Sequence, residues 1–124
     1  MVALRLATIA AGAACVLAFA DVAQARGPYD GSWTVSVSGR SGSCAGANTA
    51  YNLQIVNNIV RYYGGDARVS GRVGRGGSVV VHVVSSSGSG VGSGRLRGNV
   101  GSGSFRGHVQ GGPCAGVWSG QRTG

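Results

Sequence analysis

The chain has 124 residues, room for one domain, and 25 of them are glycine, which leaves little material for an α-helical core. Eleven basic residues face three acidic ones for a net charge of +8, so carboxylate pairs for acid–base catalysis are scarce. The surplus favours anionic partners such as lipopolysaccharide, acidic polysaccharide, nucleic acid or an acidic protein face, although it equally serves solubility and avoidance of self-association.

The first 25 residues read as an address. Met1 to Arg5 is a short basic start, Leu6 to Ala20 an apolar run rich in alanine, and Ala23-Gln24-Ala25 a small-x-small cleavage site. This predicts a signal peptide over 1–25, a mature domain over 26–124, and a periplasmic or secreted protein. An apolar run of about 15 residues is short of the roughly 20 that a spanning helix needs. Cys15 follows Gly12-Ala13-Ala14, without the leucine usual three places before a lipidated cysteine, so lipidation is the lesser alternative. Cys44 and Cys114 then remain. In an exported chain they read as a disulfide, whose loop closure would contribute roughly 4 kcal/mol.

Beyond Arg26 the apolar residues recur at period two, which predicts an all-β domain. Trp33, Val35 and Val37 alternate with Thr34, Ser36 and Ser38 in a first strand, and a polar loop carries Cys44. Tyr51, Leu53 and Ile55 mark the second strand, Asn57-Asn58 a turn, and Ile59 to Tyr63 the third. Gly64-Gly65-Asp66 turns the chain into Ala67 to Val73. After Gly74-Arg75-Gly76-Gly77 comes Val79 to Val84, the most apolar strand, then a loop from Ser85 to Gly90. Three final strands run near Val91 to Gly98, Gly101 to Val109 and Cys114 to Arg122.

Those last strands share a Gly-x-large-x-Gly repeat centred on Leu96, Phe105 and Trp118. Side chains alternate between faces, so the glycines and the large residue of each repeat point the same way. With Asn99-Val100 as the hairpin turn, Leu96 opposes Gly103 and Phe105 opposes Gly94, so each bulky group covers a glycine. The other face carries Arg95, Arg97 and Arg106, the candidate anion-binding set. Eight antiparallel strands with hairpin connections predict an up-and-down barrel, whose closure removes exposed edges; a two-sheet β-sandwich is the alternative. In an even-stranded barrel the end of the first strand and the start of the last share a rim, where Cys44 and Cys114 would meet. A transmembrane barrel is disfavoured, because the outward faces carry serine and arginine.

Gly31-Ser32-Trp33 opening the first strand, with Arg122 ending the last, resembles the calycin pattern of lipocalins, avidin-like proteins and small secreted bacterial barrel inhibitors of metalloproteases. That resemblance implies a contact between Trp33 and Arg122 at the closed barrel end, opposite the disulfide. The alternative is an Arg122 that belongs to a frayed C-terminus. The mature chain as a whole also resembles a group of small exported bacterial proteins loosely connected with haem utilisation. No set of biotin contacts and no inhibitor trunk can be matched residue by residue.

The inventory of reactive groups argues against an enzyme. A carboxylate pair would have to be Asp30 and Asp66, and no serine sits in a nucleophile-elbow frame that His82 or His108 could serve. Two histidines without acidic or thiol partners are too few for a metal site. Haem would need a ligand beside a pocket, for which Tyr62, Tyr63 and His82 are the residue types present, and no cofactor is expected. Two functions remain. One is a non-enzymatic binding module that engages an anionic ligand, acidic protein or small ligand through a basic face or the barrel mouth. The other is a structural envelope protein that adheres to anionic polymers without a discrete site. An open or filled barrel interior discriminates between them, and oligomeric state is not legible.

Overall fold

The computed structural model describes residues 26–124; the proposed signal peptide and Cys15 lie outside them. The described chain is a closed barrel of eight antiparallel strands in sequence order, so the sandwich alternative is set aside. They are β1 (Gly31–Gly42), β2 (Asn48–Val56), β3 (Ile59–Arg61), β4 (Ala67–Val73), β5 (Ser78–Ser85), β6 (Gly88–Arg97), β7 (Val100–Val109) and β8 (Gly112–Arg122), with a single 3-10 turn at Arg75–Gly77. β1 pairs with β8 from Trp33↔Arg122 to Gly42↔Cys114 and closes the ring. Cys44 and Cys114 are joined at the rim so formed, with Cα atoms 5.4 Å apart.

Turn chemistry sets the register. Asn57 and Asn58 both have positive φ, as a two-residue type I′ hairpin requires, and the Asp30 carboxylate accepts both of their backbone N–H groups at 2.7 and 3.1 Å. The β6–β7 turn is Gly98-Asn99 rather than Asn99-Val100, because Gly98 takes the left-handed conformation at φ 59°. The pairing therefore moves by two residues: Leu96 opposes Gly101 and Phe105 opposes Gly92. A shift of two keeps every side chain on its expected face: Leu96 covers Gly101, while the Phe105 ring lies over Gly116 of β8 and leaves Gly92 uncovered. The expected Ser85–Gly90 loop contracts to Ser86-Ser87, where the Ser85 hydroxyl accepts the Ser87 N–H at 3.3 Å. β6 consequently begins at Gly88.

A second departure lies at β3, which stops at Arg61 instead of Tyr63. It makes three pairs with β2 and two with β4, so Asn48–Leu53 of β2 and Ala67–Ser70 of β4 have no ladder partner on that side. The ring is closed at one end and split by a seam at the other, where the expectation that closure removes every edge fails locally.

The core occupies only the unsplit end. Trp33, Ile55, Val60, Val73, Val79 and Leu96 are buried there, with Tyr29 packed beneath them. Trp33 is 2% exposed and donates its indole N–H to the Tyr29 carbonyl at 2.8 Å. The Arg122 guanidinium lies 5.5 Å from the Trp33 ring centre and donates to the carbonyls of Pro28, Asp30 and Gly98 and to the Asn99 side chain. This end is a sealed floor; the disulfide marks the opposite rim.

Candidate functional site

Above that floor the barrel is hollow. Val35, Val37, Leu53, Val69, Val81, Val83, Phe105 and Trp118 all point inward, yet none is fully buried. They line a cavity of about 570 Å³, within the range of small-molecule pockets. The cause is an imbalance of side-chain volume. β1, β2 and β5 present valine, leucine and tyrosine to the lumen, whereas β6 presents Gly88, Gly90, Gly92 and Gly94 in succession before Leu96. Three large side chains from β6–β8 cannot fill the space those glycines leave.

Most of the glycines serve the wall itself. The Trp118 indole lies along Gly94 and Gly103 and donates its N–H to the Ser93 carbonyl at 3.2 Å, and the Phe105 ring lies against Gly116. A Cβ at Gly103 would collide with the Ser93 carbonyl, and one at Gly116 would stand 2.8 Å from two Phe105 ring carbons. The aromatic rings are thus laid flat against the wall. Gly92 differs. A Cβ there would meet nothing closer than 3.8 Å, so it faces open lumen beside Phe105 and Trp118.

The seam is crossed by side chains. Tyr51 of β2 meets Tyr62 edge to face with ring centres 5.9 Å apart, and the Tyr62 hydroxyl donates to Asp66 at 2.6 Å. The bond to Asp66, with some burial and the nearby Tyr51, holds the Tyr62 phenol above its ordinary range, so it stays a donor. Asp66 is the acidic group at the entrance; Asp30 lies at the floor. Its carboxyl is pushed up by burial, but backbone N–H bonds from Asn57, Asn58 and Gly27, with Arg26 nearby, bring it below the usual carboxylate range.

The three arginines share the outward face of the β6–β7 hairpin and are spread along it. Arg95, Arg97 and Arg106 all point outward and are exposed. Arg95 opposes Ser102 and donates to the Gly76 carbonyl near the floor, with Arg97 beside it. Arg106 is four residues further along β7, roughly 13 Å away toward the rim. There it falls with His82 and His108, which also point outward, on a depression in the outer wall. No three His, Cys, Asp or Glu side chains among the described residues are grouped so as to hold a metal ion.

Sequence reasoning placed the strands that line the lumen and left open whether the interior is hollow or filled; it missed the seam and the Tyr51–Tyr62–Asp66 crossing. Adding up the inward side chains, glycine after glycine on β6, was the available signal for the hollow. No protein-family model, curated protein or solved structure matches the chain.

Proposed function

We propose that this is an exported, non-enzymatic binding barrel that holds one small, largely apolar molecule in its lumen. The observation that carries the reading is the open cavity of about 570 Å³ walled by valine, leucine, glycine and flat aromatic rings. A barrel selected only for stability gains nothing from such a void, since unfilled apolar volume forfeits packing contacts. The arginines stand outside the cavity, apart from Arg122 in the floor, so its occupant is uncharged over most of its surface. A hydroxyl or similar donor at one end of the ligand would meet Asp66 and the tyrosines at the seam.

The Cys44–Cys114 bond supports an oxidising, periplasmic or secreted location. Among the described residues no helix is long and apolar enough to cross a membrane. Outward Arg72 near the floor and outward His82 and Arg106 nearer the rim also argue against a lipid-facing band. The alternative, a structural envelope protein without a discrete site, takes its support from the basic exterior and leaves the hollow interior without a role.

The test is titration with an uncharged fluorescent probe, N-phenyl-1-naphthylamine, against the protein and a Gly92→Leu variant. A Cβ at Gly92 enters the lumen without striking the wall, and a leucine there extends further into the same space. Saturable binding of one probe per chain is expected, weakened at least tenfold in the variant while its unfolding midpoint is kept. Equal binding by the two proteins would place the probe elsewhere and remove the reading.

A further inference from the structure

A second concavity lies on the outward side of the barrel wall, where it takes in His82, Arg106 and His108, none of which lines the lumen. It is a depression of about 640 Å³ near the rim that crosses β5, β6, β7, β8 and the end of β1. Its lining follows roughly 19 Å of the curved barrel wall across five neighbouring strands at the usual spacing, so the feature is broader than a socket for a single small ion.

Its composition follows from the register. One row of outward residues runs His82, Val91, Arg106, Ala115 across β5–β8, and the next runs Val84, Ser89, His108, Pro113. Small residues, Ser89 and Ala115, make a floor between larger neighbours. Beneath them Gly90 opposes Gly107, where the backbones approach so closely that a Cβ on Gly107 would collide with the Ser89 carbonyl and Gly90. Every ionisable side chain lining the groove is basic, and beyond its end Arg68 stands opposite Val84. The two acidic residues of the described chain are elsewhere, Asp30 at the floor and Asp66 at the seam.

We propose that this groove is a discrete binding site for a segment of acidic polysaccharide. A depression of about 640 Å³ lined from five strands has room for a segment of chain rather than a single ion. Arg106 offers a planar fork of donors suited to carboxylate, and the imidazoles and the Ser89 hydroxyl add donors on either side. Val84, Val91, Ala115 and Pro113 supply apolar ground for the C–H faces of sugar rings. An acidic peptide is the poorer fit. Extended peptides draw affinity from main-chain bonds to a free sheet edge, and β5 to β8 are each paired on both sides. Single-stranded nucleic acid draws on broad stacking platforms, and no Phe, Tyr or Trp lines the groove.

The experiment measures binding of a galacturonic acid hexamer by calorimetry at about 0.15 M salt, where diffuse attraction is screened. The variants are Arg106→Ser, the pair His82→Asn with His108→Asn, and Arg95→Ser with Arg97→Ser. The last removes more charge than the first but lies outside the groove. Expected are a loss of about tenfold in each of the first two and less than twofold in the third. A loss in the Arg95/Arg97 pair as large as in Arg106→Ser would mean that net charge alone is read, and would overturn the proposal. So would an undetectable affinity for the hexamer, or equal binding of a glutamate hexapeptide. Failure of the naphthylamine titration leaves this proposal standing, because the two sites share neither ligand nor critical residue.

Discussion

Arg122→Ala should destabilise the barrel floor by about 3 kcal/mol. The guanidinium does two things that a shorter side chain cannot. It lies 5.5 Å from the Trp33 ring centre, and its nitrogens reach the Asp30 carbonyl and Asn99 Oδ1 at 2.8 Å, Pro28 at 3.1 Å and Gly98 at 3.2 Å. The half-buried cation–π contact contributes about 1 kcal/mol. Four bonds at a net of about 0.5 kcal/mol each, near the lower end for partly solvated groups, add about 2 kcal/mol. A loss of about 3 kcal/mol corresponds to a fall of roughly 12–24 °C in Tm for a domain of about 100 residues. Arg122→Lys keeps the charge but cannot reach acceptors on three sides, and should recover about half of the loss. Arg122→Met keeps much of the stem and should resemble alanine more than lysine. The assay is urea unfolding followed by tryptophan fluorescence with the disulfide intact, which reports directly on Trp33. An Arg122→Ala protein within about 0.5 kcal/mol of the parent would show that the C-terminal strand end contributes nothing, and the account of the floor would be wrong.

Two further perturbations separate the ends of the barrel. Replacing Cys44 and Cys114 together by serine should cost about 4 kcal/mol, the loop-entropy value for residues 70 apart in sequence. Chemical denaturation checks this, and a loss under about 1 kcal/mol would mean that the rim is held by other contacts such as the Ser43 hydroxyl's bond to the Val109 carbonyl. Asp30→Asn should destabilise the protein at neutral pH by about 1 kcal/mol through loss of charge-assisted bonds to Asn57 and Asn58. The Asp30 carboxyl titrates lower in the folded than in the unfolded chain. Its contribution is therefore present above about pH 4, where the unfolded carboxyl is ionised, and disappears as pH falls through the lower folded value. Stability curves of the parent and the variant should converge in that acid range; a gap independent of pH would exclude the carboxylate as its source.

The fold was legible because its signals are local and periodic. Alternation in Trp33-Val35-Val37 and in Tyr51-Leu53-Ile55 sets strand faces, Asn57-Asn58 sets a turn, and the two cysteines set a shared rim. A slip of two at Gly98 escaped notice because it changes no side chain's face, and period two is all that alternation encodes. The early end of β3 was hidden for a different reason. Tyr62 continues the inward pattern of Val60, so the sequence cannot distinguish a tyrosine in a ladder from one that leaves it to bond Asp66. The basic face was legible as an orientation, but arginines on one side of a hairpin share orientation without sharing position along it. Arg106 belongs with His82 across two strands, a relation visible only once pairing is known.

The distribution of glycine explains why a chain of this composition forms a barrel with strength at its ends and space in its middle. At the floor, Leu96 covers Gly101 and Trp33 packs close to Gly120, so glycine permits dense contact. Midway, Gly94, Gly103 and Gly116 admit the flat rings of Trp118 and Phe105, and Gly92 admits nothing at all. The lumen therefore contributes less apolar burial than a filled core of equal size, and the shortfall falls on the Arg122–Trp33 floor and the Cys44–Cys114 rim. Both devices act without filling the cavity: one bonds strand ends together through a guanidinium, the other limits the unfolded chain. A barrel held in this way keeps its interior free, and an apolar occupant would add the contacts that the glycine wall leaves unmade.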